Sequence, residues 1–84
     1  MACFIVAYDL RMHDQDYPPV IEAIEKLGEA VRLQYSLFCV RTSLPIEEVY
    51  RRVRESIDDN DRLIVTETIG FLSSAQGGRF MPCP

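Results

Sequence analysis

Asp9 closes the apolar run Cys3-Phe4-Ile5-Val6-Ala7-Tyr8, and it is the position best suited to chemistry in this sequence. A carboxylate at the rim of a sheet can hold Mg²⁺ together with water and a substrate phosphate, because Mg²⁺ takes hard oxygen ligands and usually needs only one or two carboxylates. The plainer role for Asp9 is to accept backbone amide hydrogen bonds in the loop that follows. His13, the only histidine, has Asp9, Asp14 and Asp16 nearby and can complete a metal site or act as a general base, or simply be solvated. Ser36 can help place a phosphate, with Phe38 packed near the aspartate; otherwise Ser36 eases a strand bend and Phe38 is core. Cys39 paired with His13 would be a nucleophile, but a thiol inside an apolar strand is inert.

Among the cations, Arg51, Arg52 and Arg54 can grip phosphates, yet Glu47-Arg51, Glu48-Arg52 and Arg51-Glu55 are all i,i+4 pairs, which favours a salt-bridged solvent face. Arg11 and Arg32 have fewer acids close in sequence and are the expected phosphate contacts. The net charge of −4 argues against strong non-specific binding to phosphate backbones. Only residues 29–57 are net basic, with five bases against four acids.

The elements that must position these groups follow from periodicity. Residues 3–8 are β-branched and aromatic and too few for a helix, so they read as a buried central strand. Asp16 can cap a helix that admits Pro18 and Pro19 in its first turn. Val20, Ile21, Ile24 and Leu27 then recur at helical spacing, Glu22 and Lys26 pair on the wet side, and Gly28 stops the helix. Residues 30–41 form a long β segment whose even positions change from polar (Arg32, Gln34, Ser36) to apolar (Phe38, Val40). One straight strand should not change character in that way, so a bend, a bulge or a very tight hairpin is expected near Tyr35-Ser36. Ser43 and Pro45 open a second helix with the stripe Ile46, Val49, Tyr50, Val53 and Ile57, ended by Asp58-Asp59-Asn60-Asp61. Residues 62–69 are a strand, broken by Gly70.

The order β-α-β(β)-α-β predicts an α+β, ferredoxin-like βαββαβ sandwich over residues 1–69, both helices on one face, followed by a C-terminal extension over 70–84. That extension carries Phe71, Leu72, Phe80 and Met81, which should dock on the chain's own sheet or on a partner's. A chain of 84 residues buries roughly 60–65% of its unfolded surface, so a partner subunit is expected to complete the core. The first residues are too short and too poor in basic groups for a signal peptide or a membrane span. The three scattered cysteines, Cys3, Cys39 and Cys83, suggest neither a disulfide framework nor a zinc site, and a reduced, cytoplasmic setting is the expectation.

Two motifs at this spacing give a resemblance. Phe4-Ile5-Val6-Ala7-Tyr8-Asp9-Leu10 resembles the opening strand of the second core CRISPR-associated protein, which ends in Tyr-Asp-aliphatic. Leu33-Gln34-Tyr35-Ser36-Leu37-Phe38 resembles its Gln-Tyr-Ser-aliphatic-Phe motif, and Asp61-Arg62-Leu63-Ile64-Val65 sits where that family has its last core strand. Virulence-associated protein D, a small toxin-type ribonuclease, shares the opening motif. The resemblance spans roughly residues 3–69. It implies a ferredoxin-like homodimer with the two opening-strand aspartates facing each other, and either metal-dependent nuclease activity on RNA or DNA or a non-catalytic role on duplex DNA. The basic residues of the CRISPR relatives early in the first helix are replaced here by Met12-His13-Asp14-Gln15-Asp16-Tyr17, which marks a divergent member. The resulting expectation is a Mg²⁺-dependent endonuclease, RNA included among its substrates. Asp9 holds the metal, Asp9 and Ser36 are catalytic, and Arg11 and Arg32 contact nucleic acid. The alternative is a dimeric interaction module without activity.

Overall fold

The computed structural model describes residues 2–10, 18–73 and 79–82, with the backbone alone for 71–73 and 79–82. Arg11, Met12, His13, Asp14, Asp16, Tyr17 and Cys83 lie outside the described residues, as do the side chains of Phe71, Leu72, Phe80 and Met81. The expectations placed on them, including the Asp16 cap and the docking of the tail, therefore stay with the sequence.

The elements run β1 (Ala2–Asp9), α1 (Pro18–Glu25), β2 (Glu29–Gln34), β3 (Leu37–Thr42), α2 (Ile46–Arg54), β4 (Arg62–Thr68), β5 (Gly70–Ser73) and β6 (Arg79–Pro82). The first four strands make one sheet in the order β2-β3-β1-β4, with every neighbouring pair antiparallel. It follows that β1 and β2 run parallel with β3 between them, and β3 and β4 run parallel with β1 between them. The architecture is α+β, a four-stranded antiparallel sheet with two helices, and it is compatible with a ferredoxin-like fold. β5 and β6 pair with each other as a separate two-stranded sheet, so the tail that showed no period in sequence contains a hairpin.

The change of character within residues 30–41 is now explained. Tyr35-Ser36 is a two-residue turn between β2 and β3, and the β2–β3 register shifts between Arg32 and Gln34, leaving Leu33 as a bulge. The polar Arg32 and Gln34 belong to β2, an edge strand, Ser36 belongs to the turn, and the apolar Phe38 and Val40 belong to β3, an interior strand. Both the tight hairpin and the bulge are present, without Gly or Asn at the turn.

Alternation divides β1 between two faces. Phe4, Val6 and Tyr8 join Phe38 and Val40 in a core closed by Val20 and Ile24 of α1, by Val49 and Val53 of α2, and by Leu27 and Ile57. Both helices thus cover one face. On the other face Cys3, Leu33 and Cys39 form a smaller cluster flanked by Ile5, Val31 and Leu37. Gly28 joins α1 to β2 so closely to β3 that a Cβ there would run into the Arg41 carbonyl oxygen, which is why this turn needs glycine. α2 begins after Pro45, whose extended backbone (φ −71°, ψ 160°) makes it the N-cap without any side-chain hydrogen bond; Ser43 does not cap it. Instead the Leu44 amide donates to Thr42 Oγ1 at 3.2 Å. No helix among the described residues is long and apolar enough to cross a membrane.

Candidate functional site

The end of β1 meets the β2–β3 turn. The Tyr8 amide donates to the Ser36 carbonyl at 3.0 Å, extending the β1–β3 ladder by one step into the turn. Tyr8 points into the helix-covered core, where its ring stacks on Phe38 with centroids 6.4 Å apart, and its hydroxyl donates to the Tyr35 carbonyl at 3.4 Å. Asp9, one residue on, has the parity of Ile5 and Ala7 and so belongs to the face without helices; it is exposed. Its cross-strand partner is Arg62, the first residue of β4, which is exposed as well. Among the described residues no hydrogen bond or ion pair engages the Asp9 carboxylate.

Arg32 reaches the same rim from the opposite side of the sheet. It pairs with Phe38, a residue of the helix-covered core. Its guanidinium donates to the Tyr35 carbonyl through Nη2 at 2.6 Å and Nε at 3.1 Å, and lies 5.1 Å from the Tyr35 ring centroid and 5.6 Å from that of Phe38. Cation–π contact and two hydrogen bonds fix Arg32 as a clamp on the hairpin. Asp9 and Ser36 are thus brought together at one rim, while Arg32 shares that rim and faces the other way.

The remaining arginines are bound to their own helix. Arg51 holds Glu48 in a bidentate contact and Glu55 at 2.8 Å, Arg52 Nε reaches Glu48 at 2.9 Å, and Arg54 meets Asp59 at 3.0 Å. Hydrogen bonds from Arg51, then from Arg52, hold the Glu48 carboxyl down at about 2, and Glu48 and Glu55 raise Arg51. The salt-bridged face expected from sequence is present with one change of partner: Glu48 rather than Glu47 takes Arg51. No ion pair joins Glu22 to Lys26 among the described residues. Cys39 is a free, buried thiol whose pKa is raised by desolvation, as expected of an inert strand cysteine. Cys3, in contrast, is disulfide-bonded, which the cysteine spacing did not suggest.

Two residues at the rim escaped the sequence reading. Arg62 faces Asp9 only because β4 runs antiparallel to β1, a register that no local pattern reveals. Tyr35, 56% exposed, has the parity of the apolar positions around it and looked like one more of them until the turn displaced it. For a metal, no three His, Cys, Asp or Glu side chains gather among the described residues. The oxygen chemistry of Asp9 suits Mg²⁺, with one carboxylate per chain, so two chains would supply a pair. No family model matches this chain, and no solved structure matches it either.

Proposed function

We propose that the chain is a ferredoxin-like homodimer that binds nucleic acid and cleaves it with Mg²⁺, a divergent relative of the CRISPR-associated and toxin-type small nucleases that its motifs resemble. One observation carries this reading: the exposed Asp9 lies on the same sheet face as the apolar row Ile5, Leu37 and Cys39, which neither helix covers. Two copies packed through that row would bring both Asp9 carboxylates to the border of their interface. The carboxylates would repel each other without a cation, so the pair favours a divalent ion. Bound there, Mg²⁺ supplies charge neutralisation at the phosphate and an activated water. Ser36 meets β1 through its backbone carbonyl one residue before Asp9, and Arg62 is the cation best placed to meet a phosphate at Asp9.

Asp9→Asn tests the reading, because the amide keeps the shape and loses the charge. Cleavage of single-stranded RNA or duplex DNA at low salt with Mg²⁺ should disappear in the variant while its dimer mass stays unchanged. Without metal the variant should be slightly more stable, since the repulsion is gone. Failure of the unaltered chain to cleave or shift either substrate, with Mg²⁺ or with chelator, would sink the nuclease. What would stand then is a dimeric interaction module, a reading favoured by the net charge of −4 and by the capture of Arg51, Arg52 and Arg54 by neighbouring acids.

A further inference from the structure

A second surface, distinct from the Asp9 rim, follows β4. This strand ends the sheet on one side, so its outer hydrogen-bonding edge has no strand beside it among the described residues. Edge strands are normally blunted by proline, bulges or inward-pointing charge. β4 has no proline, its pairing with β1 runs unbroken from Arg62 to Thr68, and its charges are confined to Arg62 and Glu67. Alongside it, between strand and helix, runs a shallow groove of about 310 Å³ lined by Ile46, Glu47, Tyr50 and Val65. Tyr50 is 44% exposed there, and on the other side of the strand Ile64 is 65% exposed. Glu47 borders the groove, and Glu67 has the strand parity of Val65. Unlike Glu48 and Glu55, neither has an ion-pair partner among the described residues.

An open edge selects an extended chain, an apolar groove beside it selects alternate apolar side chains, and free carboxylates select a cation. We propose that the β4 edge takes an extended segment of a partner protein. The segment adds as a strand, sets an apolar side chain over Ile46, Tyr50 and Val65, and directs a lysine or arginine toward Glu47 and Glu67. A second copy of this chain is the poorer occupant, because its net charge of −4 adds acid where the groove calls for base.

The test is selection of phage-displayed random decapeptides against the full chain, followed by affinity measurement on the enriched peptides. Enriched sequences should alternate apolar residues and carry Lys or Arg, and their binding should protect from hydrogen exchange the outward-facing β4 amides, those not already bonded to β1. Tyr50→Ala should weaken them by about tenfold or more, as loss of a central aromatic anchor does. Glu47→Lys should weaken them by about three- to tenfold, with the difference growing at low salt. Both side chains are exposed, so circular dichroism should show both variants folded, and Asp9→Asn should bind the peptides as the unaltered chain does. The proposal is overturned if nothing enriches over blank support, or if the enriched peptides bind Tyr50→Ala and Glu47→Lys unchanged. It is equally overturned if the free chain's outward-facing β4 amides are protected at high concentration and released on dilution, which would make a second copy the occupant.

Discussion

The two faces of the four-stranded sheet are cut from the same strands and end very differently. On the helix side Phe4, Val6 and Val40 are at most 1% exposed beneath Val20, Ile24, Val49 and Val53. On the other side Ile5, Val31 and Leu37 are only half-buried around Cys3, Leu33 and Cys39. Yet β1, β2 and β3 give apolar residues to that second face as well, as strands meant to be covered on both sides do. β4 gives only Ile64, which is exposed, beside the polar Arg62, Thr66 and Thr68. The call for cover is therefore off-centre, strongest over β2, β3 and β1 and weakest over β4, with Asp9 and Arg62 at the border. This asymmetry is what a single-layer reading of the fold would miss: the face without helices carries a second, smaller core whose margin is polar.

The comparison breaks first at the helix side. Ile24→Ala removes a fully buried side chain at a packed centre and should cost about 2–5 kcal/mol. A domain of this size is stable by roughly 4–13 kcal/mol, so urea unfolding should show a large fall in midpoint or no folded baseline at all. A cost under about 1 kcal/mol would mean that the helix layer is not the principal core.

On the bare side the expected loss is of association. Ile5→Asp puts a carboxylate in the middle of the apolar row and should weaken the proposed dimer by about a hundredfold or more while leaving a folded monomer. Light scattering should give twice 9.7 kDa for the unaltered chain and the single mass for the variant. An unaltered chain that stays monomeric at micromolar concentration removes both the proposed dimer and the proposed shared metal site.

How far this asymmetry could be read from sequence depends on the element. The helix stripes Val20-Ile24 and Val49-Val53 were legible because burial on one face imposes a 3.6-residue period, and β1 was legible because its run was too short for anything but a strand. The hairpin at Tyr35-Ser36 could be read only as an inconsistency, since its turn lacks Gly and Asn and the shift of polarity was its sole trace. The β5–β6 ladder was invisible: strands of four residues each, Gly70–Ser73 and Arg79–Pro82, are too short to show a period. Of the candidate site, Asp9 was legible from its place at the end of β1 and Ser36 from the motif around it, whereas Arg62 depended on a non-local pairing register and the engagement of Arg32 on a turn that folds Tyr35 back over it.

Cys39 sharpens the comparison at smaller cost. It belongs to the face without helices, yet it is only 7% exposed and desolvation raises its pKa, so iodoacetamide should modify it much more slowly in the native chain than in urea. If association covers the row further, the rate should fall again as protein concentration rises and should recover in Ile5→Asp. A rate equal to that of the unfolded chain would show that the smaller cluster opens freely, and the bare face would then be surface rather than core.

The smallest effect belongs to the outer face of α2, where charge replaces packing. Glu48 accepts hydrogen bonds from Arg51 and Arg52, which lower its pKa from an ordinary 4.5 to about 2. A carboxyl whose folded pKa is depressed stabilises the fold fully above its unfolded pKa, and it loses that contribution as pH falls through the folded value. The stabilisation from Glu48 should therefore be intact above about pH 4.5 and fade toward pH 2. Glu48→Gln cannot ionise and should melt below the unaltered chain at pH 7, with the gap closing between pH 4.5 and pH 2. Because the pair is open to solvent, the gap at pH 7 should be small and should shrink further with added salt. Thermal melts of both chains across this pH range, at low and high ionic strength, measure it directly. A gap that stays constant with pH would assign the effect of Glu48→Gln to helix propensity at that position, and the arginine cluster on α2 would then contribute nothing through charge.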